Sequence, residues 1–203
     1  MLLAINPINP QPRLVKQIAE LLKGGSIICY PTDTGYGIGC DIFNSKAVKR
    51  LMQIKKRPKN KPFSFMCSNL KHISEYAHVS NTAYRLLRKN LPGPYTFVLP
   101  GTKLVPKIMA TKQKTVGIRV PDAPICLQLI EALGNPVVNS SIPLEDETKP
   151  PVEPYEIDML IGNRVDCIID GGTGYPDPSS VIDLTDNYPQ ILRIGKGDVT
   201  PFQ

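Results

Sequence analysis

Apolar residues recur along this chain at two spacings, and the switch between them marks out its elements. Leu14, Val15, Ile18, Leu21 and Leu22 fall at helical intervals, and Gly24-Gly25 ends the run. Ser26 to Tyr30 is an apolar stretch of strand length, stopped by Pro31. A second helix is expected from Ser45, a suitable N-cap, with Val48, Leu51, Met52 and Lys55 on one side. Phe63 to Cys67 predicts a strand, Ala83 to Leu91 a helix, and Thr96 to Leu99 another strand. The second half continues the alternation. Val116 to Val120 reads as a strand, Ala123 to Gly134 as a helix capped by Asp122, and Pro136 to Ser140 as a strand. The polar, proline-rich stretch from Leu144 to Pro154 reads as a loop, and three closely spaced strands follow, at Val165 to Asp170, Ser180 to Leu184 and Gln190 to Ile194. Strands separated by helical crossovers tend to be parallel, whereas strands joined too closely for a helix pair antiparallel. The pattern therefore predicts an α/β domain with a mixed twisted sheet.

Composition narrows this picture. The 203 residues carry no repeat, low-complexity tract or obvious linker, which predicts a single domain over residues 1–203. A hydrophobic fraction of 41% supplies a continuous core. Lys and Arg outnumber Asp and Glu by 24 to 18, a balance that favours anionic partners such as nucleotide phosphates or RNA. The cations cluster in the stretch from Lys49 to Lys61, a pattern equally consistent with a solvated helix face. The five cysteines, Cys29, Cys40, Cys67, Cys126 and Cys167, are odd in number and form no CxxC pair. Buried reduced thiols and a cytoplasmic location are expected. His72 and His78 have no ligand spacing to a cysteine, so no protein-bound metal is expected. No stretch approaches the length and apolarity of a membrane span or a signal peptide.

Several segments could carry chemistry. Tyr30 to Gly39 (YPTDTGYGIG) follows a strand and offers two threonine hydroxyls, a carboxylate and three closely spaced glycines, which let a ligand approach the backbone. The same residues would also make an ordinary glycine turn between strands. No Gly-Lys-Ser/Thr follows, which excludes a P-loop. Lys55-Lys56-Arg57-Pro58 is either normal C-terminal capping or a cationic pair converging on polyphosphate. Leu91 to Thr96 (LPGPYT) is a rigid turn. Arg119 lies within the apolar strand Thr115 to Pro121, and if buried it requires an anion. Pro178 to Asp183 (PSSVID) and Arg193-Ile194-Gly195 add polar groups at strand edges.

Taken together and in order, these segments resemble the YrdC family, and most nearly its YciO branch. The resemblance rests on Thr32 to Ile38, Lys55 to Pro58, Pro92 to Thr96, Gly117 to Pro121, Ser179 to Asp183 and Arg193 to Gly195, and it spans roughly residues 12 to 200. It implies a YrdC-like mixed twisted sheet with helices and a concave basic cavity. The implied activity is nucleotidyl transfer of the L-threonylcarbamoyladenylate synthase kind. L-threonine, bicarbonate and ATP give threonylcarbamoyl-AMP and pyrophosphate, and the product later modifies adenosine 37 of tRNA. Family positions for L-threonine fall on Thr34, Arg119, and Ser179 or Ser180. Those for nucleotide fall on Lys55, Arg57, Thr115, Ser141 and Arg193, with Lys55 and Arg57 as the catalytic cations. ATP is expected as substrate, accompanied by Mg²⁺. A second reading is an RNA-binding module without synthase activity, contacting tRNA or double-stranded RNA phosphates. Two departures from the synthase pattern are expected to touch the cavity: Pro143 stands where an asparagine is usual, and Met66 where a histidine is usual.

Overall fold

In the computed structural model, residues 1–56, 63–109, 111, 113–143, 149–186 and 188–203 are described. Ten strands form one mixed sheet: β1 (Leu2–Ala4), β2 (Ile28–Pro31), β3 (Tyr36–Gly39), β4 (Ser64–Met66), β5 (Tyr95–Pro100), β6 (Thr115–Arg119), β7 (Val137–Ser141), β8 (Cys167–Asp170), β9 (Ser180–Asp183) and β10 (Gln190–Arg193). Among the described residues six α-helices flank it: α1 (Pro12–Lys23), α2 (Ser45–Ile54), α3 (Leu70–Tyr76), α4 (Asn81–Asn90), α5 (Pro124–Leu133) and α6 (Pro154–Ile161). The strand order is β1-β8-β2-β3-β7-β4-β6-β5-β9-β10. The mixed α/β sheet predicted from the sequence is thus present.

Strand alternation sends successive side chains to opposite faces, and here that divides the core in two. One face buries Ile38, Phe65, Phe97, Ile118 and Val138 in a large cluster that also takes up Val48 and Leu51 of α2 and Leu87 of α4. The other face carries Ile28, Tyr30, Met66 and Val137 beneath Ile18 and Leu22 of α1 and Leu129 of α5.

The structure revises several sequence expectations. Asn44, rather than Ser45, caps α2, because its side chain accepts from the Ala47 amide at 3.0 Å. Asp122 does not cap α5. The helix begins at Pro124 after Ala123, and the Asp122 amide donates instead to Asp33 Oδ2 at 3.1 Å. Helix α6 occupies residues that follow the expected loop and opens with a Glu153/Glu156 capping box whose spacing was present in the sequence. Of the three closely spaced C-terminal strands, only β9 and β10 pair with each other, antiparallel. Strand β8 lies near the far end of the sheet, parallel to both β1 and β2. All five cysteines are buried with free thiols. Among the described residues no helix is long and apolar enough to cross a membrane.

Candidate functional site

On the same sheet face as α1 and α5, beyond the part those helices cover, the sheet forms the floor of a cavity of about 600 Å³. Its floor is made of the small or polar partners of large core residues. Gly37, Asn139, Ser64, Gly117 and Thr96 face the cavity, while their neighbours Ile38, Val138, Phe65, Ile118 and Phe97 face the opposite core. Gly37 and Gly39 are needed here for a different reason. A Cβ on Gly37 would sit 2.7 Å from the Tyr30 ring, and one on Gly39 would sit 2.9 Å from the Tyr30 hydroxyl. The glycines of the YGIG run therefore admit the Tyr30 side chain as well as any ligand.

Two guanidinium groups belong to the wall. Arg119, at the end of β6, is buried, and its Nη2 bonds Asp33 Oδ1 at 2.7 Å and Thr34 Oγ1 at 3.0 Å. Its Nε is buried without a hydrogen-bond partner among the described residues. Arg193, on β10, donates from Nε to the Ser179 carbonyl at 2.9 Å and from Nη2 to Ser179 Oγ at 3.1 Å. Ser179 Oγ in turn lies 2.9 Å from Thr96 Oγ1. Burial, and then the like charge of Arg119, push the Arg193 guanidinium down from its usual pKa. It nonetheless stays charged at neutral pH. Two cations and a set of hydroxyls thus converge on one space, with Asp33 as the counter-charge to Arg119. This arrangement suits carboxylate and phosphate oxygens.

The loop from Gly171 to Pro178 roofs the cavity, with Tyr175, Pro176, Asp177 and Pro178 on the wall. The turn at Thr32 brings this roof close: Thr32 Oγ1 donates to the Gly35 carbonyl and accepts from the Thr34 and Gly35 amides. Any Cβ on Gly35 would meet the Tyr175 carbonyl at 2.7 Å. Lys196 ties roof to turn, donating to the Asp33 carbonyl at 2.6 Å while its ammonium stands 3.4 Å above the Tyr175 ring.

The cavity wall includes Thr34, Arg119, Ser179, Thr115, Ser141 and Arg193 among the sequence-predicted residues. Ser180 does not line it. Strand alternation turns its hydroxyl into the opposite core, where it donates to Gly197 O at 2.6 Å and accepts from the Gly195 amide at 2.9 Å. Lys55 stands at the rim, its Nζ donating to Ser141 O at 2.7 Å. Arg57 lies outside the described residues. Neither departure from the synthase pattern lines the cavity. Met66 is fully buried under α5 beside Tyr30, and Pro143 follows the wall residue Ile142. Sequence reasoning missed Asn139, Ser64, Thr96 and the Tyr175–Lys196 pair. The first three carried a signal, a polar or small residue at every second strand position; the last is a contact between distant segments.

The sequence and the fold together place the chain in a known family. The Sua5/YciO/YrdC family, whose description reads telomere recombination, matches residues 20–195, and the chain belongs to it. Among its relatives, the protein YciO of Escherichia coli K12 is 44% identical over 98% of this chain and 97% of its own length. The crystal structure of E. coli YciO superposes with a TM-score of 0.94 at 42% identity, covering 100% of this chain and 99% of that one. The threonylcarbamoyl-AMP synthase of Pyrococcus abyssi is 32% identical over 93% of this chain, which spans 57% of that longer protein. A P. abyssi Sua5 structure complexed with L-threonine superposes with a TM-score of 0.89 at 28% identity, covering 96% of this chain and 57% of that one.

Proposed function

We propose that this chain joins ATP to N-carboxylated L-threonine, giving threonylcarbamoyl-AMP and pyrophosphate. The observation that carries this reading is Arg119. A buried guanidinium whose Nε has no partner among the described residues is costly unless a ligand oxygen completes it. The amino-acid carboxylate supplies that oxygen, and the Thr34 and Ser179 hydroxyls complete the amino-acid end. Thr115, Ser141, Lys55, Arg57 and Arg193 hold the nucleotide. Threonine amine and bicarbonate condense to a carbamate with loss of water. A carbamate oxygen then attacks the α-phosphorus of ATP, the bond between the α-phosphorus and its bridging oxygen to the β-phosphate breaks, and pyrophosphate leaves. No covalent enzyme nucleophile is needed. Orientation of the two ligands and cationic stabilisation of the phosphate charge supply the acceleration.

Magnesium enters as the counter-ion of ATP. Among the described residues no group of three or more side chains is arranged to hold a metal, and Asp177 is the one carboxylate on the wall. tRNA is the later acceptor of the activated group in this reading.

Calorimetric titration tests it. L-threonine and ATP should each bind the wild-type protein. Arg57→Ala should weaken ATP by roughly tenfold to a hundredfold, the loss of one charge-assisted hydrogen bond, with threonine unchanged. Unaltered ATP binding in that variant would remove Arg57 from the site. Failure of both ligands to bind, with tRNA binding that weakens steeply with salt, would replace the reading with RNA binding.

A further inference from the structure

Asn139 occupies a position on the cavity floor that neither the amino-acid end nor the nucleotide end explains. In the sheet it pairs with Ser64, which pairs with Gly117. One rung to one side, Val137 and Met66 align with Arg119. To the other side lie Ser141 and Thr115, each two residues along its own strand. At about 3.3 Å per residue, Asn139 stands roughly 7 Å from both levels. Along the strand direction it is therefore midway between the level of Arg119, assigned to the carboxylate, and that of Ser141 and Thr115, two of the residues assigned to the nucleotide.

Its amide is also oriented. Tyr30 is fully buried across the two β3 glycines, and its one hydroxyl proton is shared between Val138 O at 2.9 Å and Asn139 Oδ1 at 3.1 Å. The Asn139 main-chain carbonyl accepts from Ser64 Oγ at 3.0 Å. With its oxygen held by Tyr30, the amide leaves Nδ2 for the cavity, and Nδ2 donates to no other group among the described residues. Burial raises the Tyr30 hydroxyl well above its usual pKa, so it stays a donor across the physiological range.

We infer that Asn139 Nδ2 donates to the N-carboxyl oxygen of the carboxylated amino acid, at the junction where that group meets the α-phosphate, and that Tyr30 is the positioning residue that aims it. This rests on the reading above and adds to it the residue that distinguishes an N-carboxylated amino acid from a free one.

The test compares two probes, L-threonine and N-carbamoyl-L-threonine, a stable stand-in for the carboxylated amine. Both are titrated calorimetrically into wild type, Asn139→Ala, Asn139→Asp and Tyr30→Phe. The N-carbamoyl probe should lose about threefold to tenfold in affinity in Asn139→Ala, one neutral hydrogen bond. It should lose more in Asn139→Asp, which sets a carboxylate against the ligand oxygen while keeping the side-chain volume. L-threonine affinity should stay the same. Tyr30→Phe should shift the ratio of the two affinities in the same direction, whereas simple loosening of the fold would lower both together. An unchanged ratio in all three variants overturns this inference and leaves the proposed function standing. If wild type binds neither probe, the proposed function falls and this inference falls with it.

Discussion

Replacing Arg119 with methionine separates two roles that its guanidinium holds at once. The Arg119 and Asp33 side chains are 5% and 10% exposed and meet at 2.7 Å. Removing one member of a buried pair leaves the other charge stranded, at about 3–5 kcal/mol. Asp33 keeps the Asp122 amide at 3.1 Å, which places Arg119→Met toward the lower end of that range. In a chain of this size each kcal/mol moves Tm by about 2–4 °C, so a fall of about 6–12 °C is expected. Adding Asp33→Asn removes the stranded charge, and the double variant should recover most of that loss. Ligand response reports the second role. L-threonine at a hundredfold excess over its Kd stabilises by about 2.7 kcal/mol, raising the wild-type Tm by roughly 5–11 °C. Neither variant should show that rise, because both lack the carboxylate partner. Thermal unfolding followed by circular dichroism, with and without L-threonine, reads both effects. If the double variant regains the threonine response, or Arg119→Met costs less than about 1 kcal/mol, the paired and ligand-facing assignment of Arg119 is wrong.

Three other perturbations follow from the structure. Burial pushes the thiols of Cys40 and Cys126 up to about 12, and Cys29 and Cys67 further in the same direction. Native protein at pH 8 should therefore react slowly with a thiol reagent. Because these thiols ionise only in the unfolded chain, stability should decline as pH rises above about 8.5, and rapid labelling of several cysteines would contradict this. Pro143→Asn restores a side-chain amide beside the wall residue Ile142 and should strengthen ATP binding by about tenfold by calorimetry, leaving threonine unchanged. Lys196→Ala removes the ammonium above Tyr175 and its bond to Asp33, a contact of about 0.5–1 kcal/mol, so amides of residues 171–178 should exchange two- to fivefold faster, and unchanged exchange would deny Lys196 its role in closing the roof.

Most of the fold was legible because its signals are local. The α1 stripe, the strands at 116–120 and 136–140 and the glycine-ended α5 each depend on neighbours in sequence. What escaped depended on partners far away. Strand β8 reads like β9 and β10 but pairs with β1 and β2, and nothing in residues 165–170 records that choice. The site followed the same division. Thr34, Arg119 and Ser179 stand in recognisable motifs. The exclusion of Ser180 is a matter of strand phase, and Asn139 gains its place only because Tyr30, more than a hundred residues earlier, reaches across two glycines to hold it. Met66 was expected to disturb the cavity. It lies instead under α5, so its replacement of a histidine changes the core beside the site rather than the cavity wall.

The reaction itself gives the most direct test. The protein is incubated with ATP, magnesium, bicarbonate and L-threonine, and the mixture is examined by mass spectrometry for threonylcarbamoyl-AMP and for pyrophosphate in equal amount. The account predicts both products, dependent on every substrate and lost in Arg119→Met. ATP turned over without an amino-acid adduct, or no product from protein that binds both ATP and threonine, would contradict it.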